Sequence, residues 1–250
     1  MGIAVPVGLI ALWQIASSVG WIDPVLYPSP SKIVRHGWDL AANGKLRSYV
    51  AVTLRTIFTG YAIGFVLGLT VGITMGLSYL TRRALEPTLS ALYVVPKLAI
   101  LPIFLTIFGF DLAPKVALVA VTTFFYIWIT SMEAIRSVPE GYREAAKSFR
   151  ATTPQMLRHV LLPAALPRVL VGMRMATASA ILVTVAAEFV VGNEGLGFLI
   201  FNSRELFQLD RTYIGIIVVA ALGVILGGLL QLLGKRLTPW EQASKPASQA

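Results

Sequence analysis

The apolar residues of this 250-residue chain are gathered into blocks long enough to cross a lipid bilayer, and that grouping limits the fold more than any other feature. A hydrocarbon core of roughly 30 Å needs about 20 predominantly apolar residues in a helix. Six segments meet that requirement, at roughly residues 3–20, 54–79, 88–109, 115–134, 168–191 and 212–234. The short alternating segments of a transmembrane β-barrel are absent. The expected fold class is therefore all-α, a polytopic membrane protein of about six transmembrane helices. Composition agrees: 56% of residues are hydrophobic and 13% charged, about half the charge fraction of a soluble domain. With no cysteine, disulfides and thiolate chemistry are excluded. A net charge of +9 would suggest nucleic acid in a soluble protein. In a chain this apolar it reports orientation, and no nucleic-acid partner is expected.

The first apolar segment has no charge before Asp23, no basic flank and no clear cleavage site. It reads as a span rather than a signal peptide, and a longer natural frame upstream is compatible with it. Counting Lys and Arg orients the rest. With the N-terminus in the cytoplasm, the inner loops hold Arg82, Arg83, the cluster Arg136, Arg143, Lys147, Arg150, Arg158 and Arg168, and then Lys235, Arg236 and Lys245. The outer loops hold Lys32, Arg35, Lys45, Arg47, Lys115, Arg204 and Arg211, with Arg55 at a border. The inner side carries the excess, which puts both termini in the cytoplasm. Pro28 to Lys32 reads as a turn entering an amphipathic surface helix. Residues 1–240 form one transmembrane domain, and 241–250 a polar cytoplasmic tail.

Gly60, Gly64, Gly68, Gly72 and Gly76 recur every four residues in the second segment. Such a stripe lets another helix backbone approach closely in lipid, either as a moving interface or as static packing. Gly223 and Gly227 form a weaker version in the sixth segment.

Between the fourth and fifth segments lies "EAAKSFRATTPQMLRHVLLPAALP", Glu144 to Pro167. Ser137 and Glu140 have the spacing of a capping box, which predicts a short helix running to about Arg150. Thr153, followed by Pro154 in the first turn, predicts the start of a second helix that ends near Leu162-Pro163. A bent two-helix element of about 30 residues is more ordered than a connector needs to be. Ala145 and Ala146 make a shallow centre. Arg143, Glu144, Lys147 and Arg150 make a charged rim, and Phe149, Met156 and Leu157 are apolar knobs. That pattern suits a helix lying in another protein's groove; an amphipathic helix resting on lipid headgroups is the other reading.

The same stretch resembles the EAA signature of ABC-importer permeases: EAA, three residues, Gly, nine residues, Ile, one residue, Leu-Pro. Glu144, Ala145, Ala146, Leu162 and Pro163 match in register. Val160 stands at the Ile position, and Arg150 where the family has the glycine of the turn. The segments "PSPSKIV", "TLRTIFTGYAIGFVLGLTVGI", "EPTLSALYVVPKLAILPIFLTIFGF" and "AAEFVVGNEGLGFLI" extend the resemblance to the nitrate/sulfonate/taurine branch. The resemblance implies a type I importer fold with a cytoplasmic coupling helix, in a bacterial inner membrane. It also implies a second permease copy, two ATPase subunits that bind ATP and Mg, and an extracytoplasmic solute-binding protein. Glu144, Ala145, Ala146, Arg150, Val160, Leu162 and Pro163 would then couple to the ATPase. The chain itself would bind no metal or cofactor and hold no catalytic residue.

Lys97, Arg174 and Glu188 are the ionisable residues expected within spans. Each should face protein or water, since a central charge costs about 3 kcal/mol on insertion scales. Lys97 and Arg174 either draw an anion into the pathway, or Lys97 snorkels to the surface and Arg174 bonds helix-end carbonyls. Glu188 either shapes the gate or makes a structural hydrogen bond. Gly192, Gly195 and Gly197 sit at the outer boundary and permit a re-entrant gate turn or an ordinary loop. The phosphate-binding GxxxxGK[ST] pattern is absent, so this chain is not the ATPase. His36 and His159, both outside the spans, form no HExxH or Ser-His pattern, which argues against an intramembrane enzyme. A secondary transporter or channel for a small anion is the alternative, and it would favour several intramembrane carboxylates.

Overall fold

The computed structural model describes residues 4–240, so the 241–250 tail and Lys245 lie outside the described residues. The described chain is helical, with no strand among these residues. Its helices are α1 (Ala4–Val19), α2 (Pro30–Ala42), α3 (Lys45–Leu77), α4 (Tyr79–Val94), α5 (Leu101–Phe108) and α6 (Leu112–Arg136). They continue with α7 (Glu140–Ser148), α8 (Thr153–Met156), α9 (Leu162–Val191), α10 (Leu196–Glu205) and α11 (Leu209–Leu237). Two compact units are distinguished, one within Met1–Arg55 and Thr184–Leu222, the other within Thr56–Val183 and Gly223–Ala250.

Four helical stretches are long and apolar enough to span a membrane: Lys45–Leu77, Leu112–Arg136, Thr153–Val191 and Leu209–Leu237. The third expected segment is broken. Tyr79–Val94 and Lys97–Phe108 meet at 90° and qualify only as a pair. The first, Ala4–Val19, is a shorter apolar helix of 16 residues. The second starts about nine residues earlier than its apolar run, because the polar turns from Lys45 are helical too.

In the second unit the glycine stripe of α3 lies directly on α6. A Cβ built on Gly60 would stand 2.6 Å from the Cβ of Val119. One on Gly68 would stand 2.7 Å from the Phe124 carbonyl oxygen, and one on Gly72 2.7 Å from that of Trp128. At Gly64 the Ala120 carbonyl oxygen is closer still, and at Gly76 the nearest atom is the Ile135 Cβ at 2.8 Å. Real side chains do not fit there, so only glycine permits this approach. The static-packing reading of the stripe accounts for these distances.

The register carries a topological consequence. Each step of four along α3 matches a step of four along α6 in the same direction, so the two helices are parallel. Parallel spans need a returning crossing between them. The broken pair α4 and α5 supplies it, and therefore acts as one span despite its bend. Beside the seam, Met75, Phe125, Trp128 and Met132 pack as a buried cluster, with the Trp128 indole N–H 2.9 Å from the Met75 sulfur. Helix α9 packs on α6 through Ala165, Val169, Ala134 and Ile135. The Tyr61 hydroxyl donates to the Met173 carbonyl at 3.0 Å.

The first unit is built on Ile33 and Leu40 of α2, Leu196 and Leu199 of α10, and Ile214 of α11. Trp13 of α1 packs on Tyr213 with ring centroids 5.6 Å apart. His36 of the amphipathic α2 is paired with Asp210.

The seam yields a contrast in sign. Gly68→Ala forces atoms apart in the seam and is expected to cost about 1–3 kcal/mol. Gly227→Ala meets nothing within 4 Å and is expected to gain up to about 1 kcal/mol from helix propensity. Thermal unfolding of both variants in the same detergent reads the difference.

Candidate functional site

The Glu144–Pro167 stretch folds into an elbow. Helix α7 does not begin from a Ser137 capping box: Ser137 closes α6, with its hydroxyl donating to the Ala134 carbonyl at 3.0 Å. Glu140 instead faces Arg143 at 3.7 Å and Lys147 at 3.9 Å, one and two turns on. Such pairing along a helix competes directly with the reach back to Ser137. Arg143 also donates to the Ile135 carbonyl at 2.9 Å, which ties α7 to the end of α6.

Helix α7 ends in a Schellman turn. The Ala151 amide donates to the Ala146 carbonyl at 3.0 Å and the Arg150 amide to that of Lys147 at 2.8 Å. This closure requires a left-handed residue, and Arg150 adopts φ +53°. The turn therefore keeps its place although Arg replaces the family's glycine. An L-residue there costs about 1–2 kcal/mol.

The second helix starts one residue earlier than the Thr153 reading. Thr152 is its N-cap, and Gln155 Oε1 accepts from the Thr152 amide at 2.8 Å and hydroxyl at 2.9 Å. Nor does this helix stop at Leu162-Pro163. It continues into α9 through a wide π-turn, Leu157–Leu161. Pro163 offers no amide to the preceding turn and crowds its carbonyls. The wide turn immediately before it gives the ring room, as π-bulges do.

The elbow's two faces differ. Ala146 is buried, and Val138 and Leu161 join the α6–α9 core. Outward stand Tyr142, 58% exposed, Ala145, and Phe149, 87% exposed. At spacings of three and four residues they form one stripe, flanked by exposed Glu144, Lys147 and Arg150. Val160 is half-buried in the π-turn. Leu162 and Pro163 line an apolar groove of about 420 Å³ with Leu166, Leu233 and Trp240.

Lys97 sits at the α4 break. Its ammonium donates to the carbonyls of Tyr93 (2.6 Å), Val95 (2.8 Å) and Leu92 (3.3 Å). It also lies over the Tyr93 and Phe125 rings, 5.3 and 4.6 Å from their centroids. Three hydrogens meet three carbonyls at the end of α4, of which that of Leu92 also accepts from the Val95 amide at 3.3 Å. Arg174 lies about midway along α9, exposed and without a side-chain partner among the described residues.

In the first unit, Glu188 is fully buried at the end of α9. The Thr53 hydroxyl lies 2.9 and 3.1 Å from its two oxygens, and the Gly197 amide donates to Oε2 at 2.8 Å. Thr53 in turn accepts from the Leu196 amide at 2.8 Å. The carboxylate thus sits at the N-terminus of α10, where free amides and the helix dipole favour an anion. The three glycines make this possible. Gly195 is at φ +105°, and a Cβ there would stand 2.6 Å from Oε2. A Cβ on Gly197 would stand 2.6 Å from the Glu188 Cβ, and on Gly192 2.9 Å from the Phe198 Cβ. The residues 192–197 are a tight turn around Glu188, followed by a helix that the sequence reading did not contain. Thr53 and Tyr142 also escaped that reading. Thr53 has nothing in the sequence to mark its partner, whereas Arg143 was legible as part of the charged rim, though not its bond to Ile135.

Four helical stretches long and apolar enough to cross a membrane, with a bent elbow ahead of the third, are the frame of a membrane permease. Residues 52–239 match the family described as binding-protein-dependent transport system inner membrane component. The chain belongs to that family and is the permease component of an ABC importer. It is 40% identical over 95% of its length, and 90% of the relative's, to an Escherichia coli K12 chain provisionally named an aliphatic sulfonates transport permease protein, SsuC. It is 30% identical to the E. coli K12 taurine transport system permease protein TauC, covering 93% of this chain and 86% of that one. With the riboflavin transport system permease protein RibX of Chloroflexus aurantiacus it shares 35% identity over 93% and 87% of the two chains. Among solved structures, the inward-facing MetNI methionine ABC transporter superposes with a TM-score of 0.64 at 24% identity. The match covers 78% of this chain and 94% of that one, and it shows a shared type I importer permease fold.

Two substitutions probe these sites. Arg150→Gly relieves the left-handed turn and is expected to stabilise the protein by about 1 kcal/mol in thermal unfolding. Thr53→Val removes a donor to Glu188 and the acceptor for Leu196. It is expected to cost about 1–3 kcal/mol, with Thr53→Ser close to wild type.

Proposed function

We propose that this chain carries a small anion of the sulfonate or nitrate kind inward across a bacterial plasma membrane. Two copies pair, two ATPase subunits bind ATP and Mg and dock on the elbows, and a binding protein outside delivers the solute. The chain itself hydrolyses nothing and holds no cofactor. The sulfonate and taurine names of its relatives support the substrate class. Both termini and the elbow face the cytoplasm. The basic residues Arg82, Arg83, Arg136, Arg143, Lys147, Arg150 and Arg158 around the elbow end of the second unit support that orientation.

The observation that carries the reading is the elbow's division of labour. One side is spent on the α6–α9 core, and the other presents Tyr142, Ala145 and Phe149 within a charged rim. An exposed aromatic beside a rigid turn suits a partner's pocket. Glu144, Ala145, Ala146 and Arg150 form the docking helix and its turn, and Val160, Leu162 and Pro163 join it to α9. When ATP draws the ATPases together, the docked elbows bias the spans between two states. Arg174 faces water or the second copy, because an exposed guanidinium in lipid is costly, and it serves the solute pathway. Lys97, its donors engaged, holds the α4 break and does not bind solute. Glu188 latches the Gly192–Gly197 turn as the outer gate.

The test is co-purification and uptake. Glu144→Lys and Phe149→Ala are each expected to weaken ATPase binding by about 2 kcal/mol, with ATP-driven uptake falling in step. Undiminished binding and uptake in both variants would overturn the docking role.

A further inference from the structure

The apolar groove beside the elbow lies wholly within the second unit, between α3, α6, α9 and the end of α11. Leu69, Leu166 and Leu233 are among its walls, around about 420 Å³ of space. Leu233 and Trp240 remain exposed there, so the groove is open to its surroundings. In a membrane those surroundings are acyl chains, with headgroups at the level of the helix ends.

Three features of the groove are polar, and each lacks something. Among the described residues that line it, one is charged, Arg158, and none is acidic. Arg158 stands in the π-turn and is exposed. Its guanidinium has no hydrogen-bond, ion-pair or ring partner among the described residues. On the wall, the hydroxyl of Ser131 is buried without a hydrogen-bond partner, a rare state for such a group. At the rim stands Trp240, an indole of the kind that settles at headgroup level. Arg236, in the last turn of α11 next to the lining residue Leu237, is exposed and also unpartnered among the described residues.

We propose that this groove holds one acyl chain of an anionic phospholipid, with the lipid's phosphate on Arg158. A phosphate meets the planar donors of a guanidinium better than any other lipid group. A net negative headgroup is favoured because no acid on the lining offsets Arg158, and Arg236 adds to the positive field. Leucines supply the trough for the chain. Below the phosphate comes an ester carbonyl, an acceptor that the Ser131 hydroxyl can turn to meet. A second copy of the chain suits the groove less well. Meeting this face isologously, it would bring the same uncompensated arginine against Arg158. The bound lipid would bridge the π-turn of the elbow and the end of α11. Its assignment to the cytoplasmic leaflet rests on the proposed orientation, whereas the binding does not.

The experiment places the full-length permease in phosphatidylcholine nanodiscs that contain phosphatidylglycerol, with one lipid at a time brominated on its acyl chains. Bromine quenches nearby tryptophan, and the Trp240 signal is the difference between wild type and Trp240→Phe. Brominated phosphatidylglycerol is expected to quench Trp240 at a mole fraction at least threefold lower than brominated phosphatidylcholine. Arg158→Gln is expected to abolish that preference and Arg158→Lys to keep most of it. High salt is expected to narrow it in wild type, a measurement that needs no variant to fold. Equal quenching by the two lipids in wild type overturns the proposal, since the groove then meets bilayer lipid without selection. A preference that survives both Arg158→Gln and high salt overturns it by removing the phosphate contact. Absence of quenching by either lipid overturns it as well, because protein then covers the groove, as a second copy would. Both leaflets are present in a nanodisc, so none of these outcomes depends on which solute is carried or in which direction.

Discussion

Backbone contact between α3 and α6 is the constraint on which the second unit depends. Five glycines at a period of four run beside α6 for roughly 24 Å, with no space for a single methyl group at any of them. In lipid, helices gain little by hiding apolar surface from one another, so close approach and dispersion hold them together. Because the contact is parallel, it dictates the course of the intervening chain. The α4–α5 segment must travel back across the bilayer and does so with a right-angled break. That break strands carbonyl groups at membrane depth, where each unsatisfied one is expensive. Lys97 answers those of Tyr93 and Val95, and joins the Val95 amide at that of Leu92. A cation that resembles a ligand site is thus a structural consequence of a glycine stripe that ends at Gly76, one helix upstream.

The elbow is held stiff at three places. Arg143 bonds it to the end of α6, the Schellman turn fixes its tip, and an unbroken helix through the π-turn joins it to α9. Force applied at α7 therefore reaches α9 without passing through a loose connector. The exposed stripe sets the aromatics Tyr142 and Phe149 two turns apart, a spacing that would suit a partner with matching hollows.

Much of this was legible beforehand. Block hydropathy placed four of the six expected spans as long helices, but not the break in the third or the shortness of the first, because lipid demands length and apolarity and little else. The glycine period gave a close contact, though not its partner or direction. Other features were hidden for physical reasons. The Ser137 capping box fails because α6 extends to Arg136 and consumes Ser137 as its own end. The helix through Pro163 is invisible because proline ordinarily stops one. Two left-handed caps, at Arg150 and Phe207, lack the glycine that would announce them. Glu188 and the Gly192–Gly197 turn were noticed separately. Only the fold reveals that the glycines admit the carboxylate, and that a threonine 135 positions away completes its cradle.

That cradle has a bearing on biogenesis. Residues leave the ribosome in order, so α9 is delivered to the membrane while the residues that cap its carboxylate are still being made. Until Gly197 emerges, Glu188 has the Thr53 hydroxyl but lacks the amide donor that α10 later provides, and a half-capped carboxylate resists release into lipid. The α9 segment therefore has reason to wait at the translocon for its successor, and insertion of the last third of the chain becomes a concerted event.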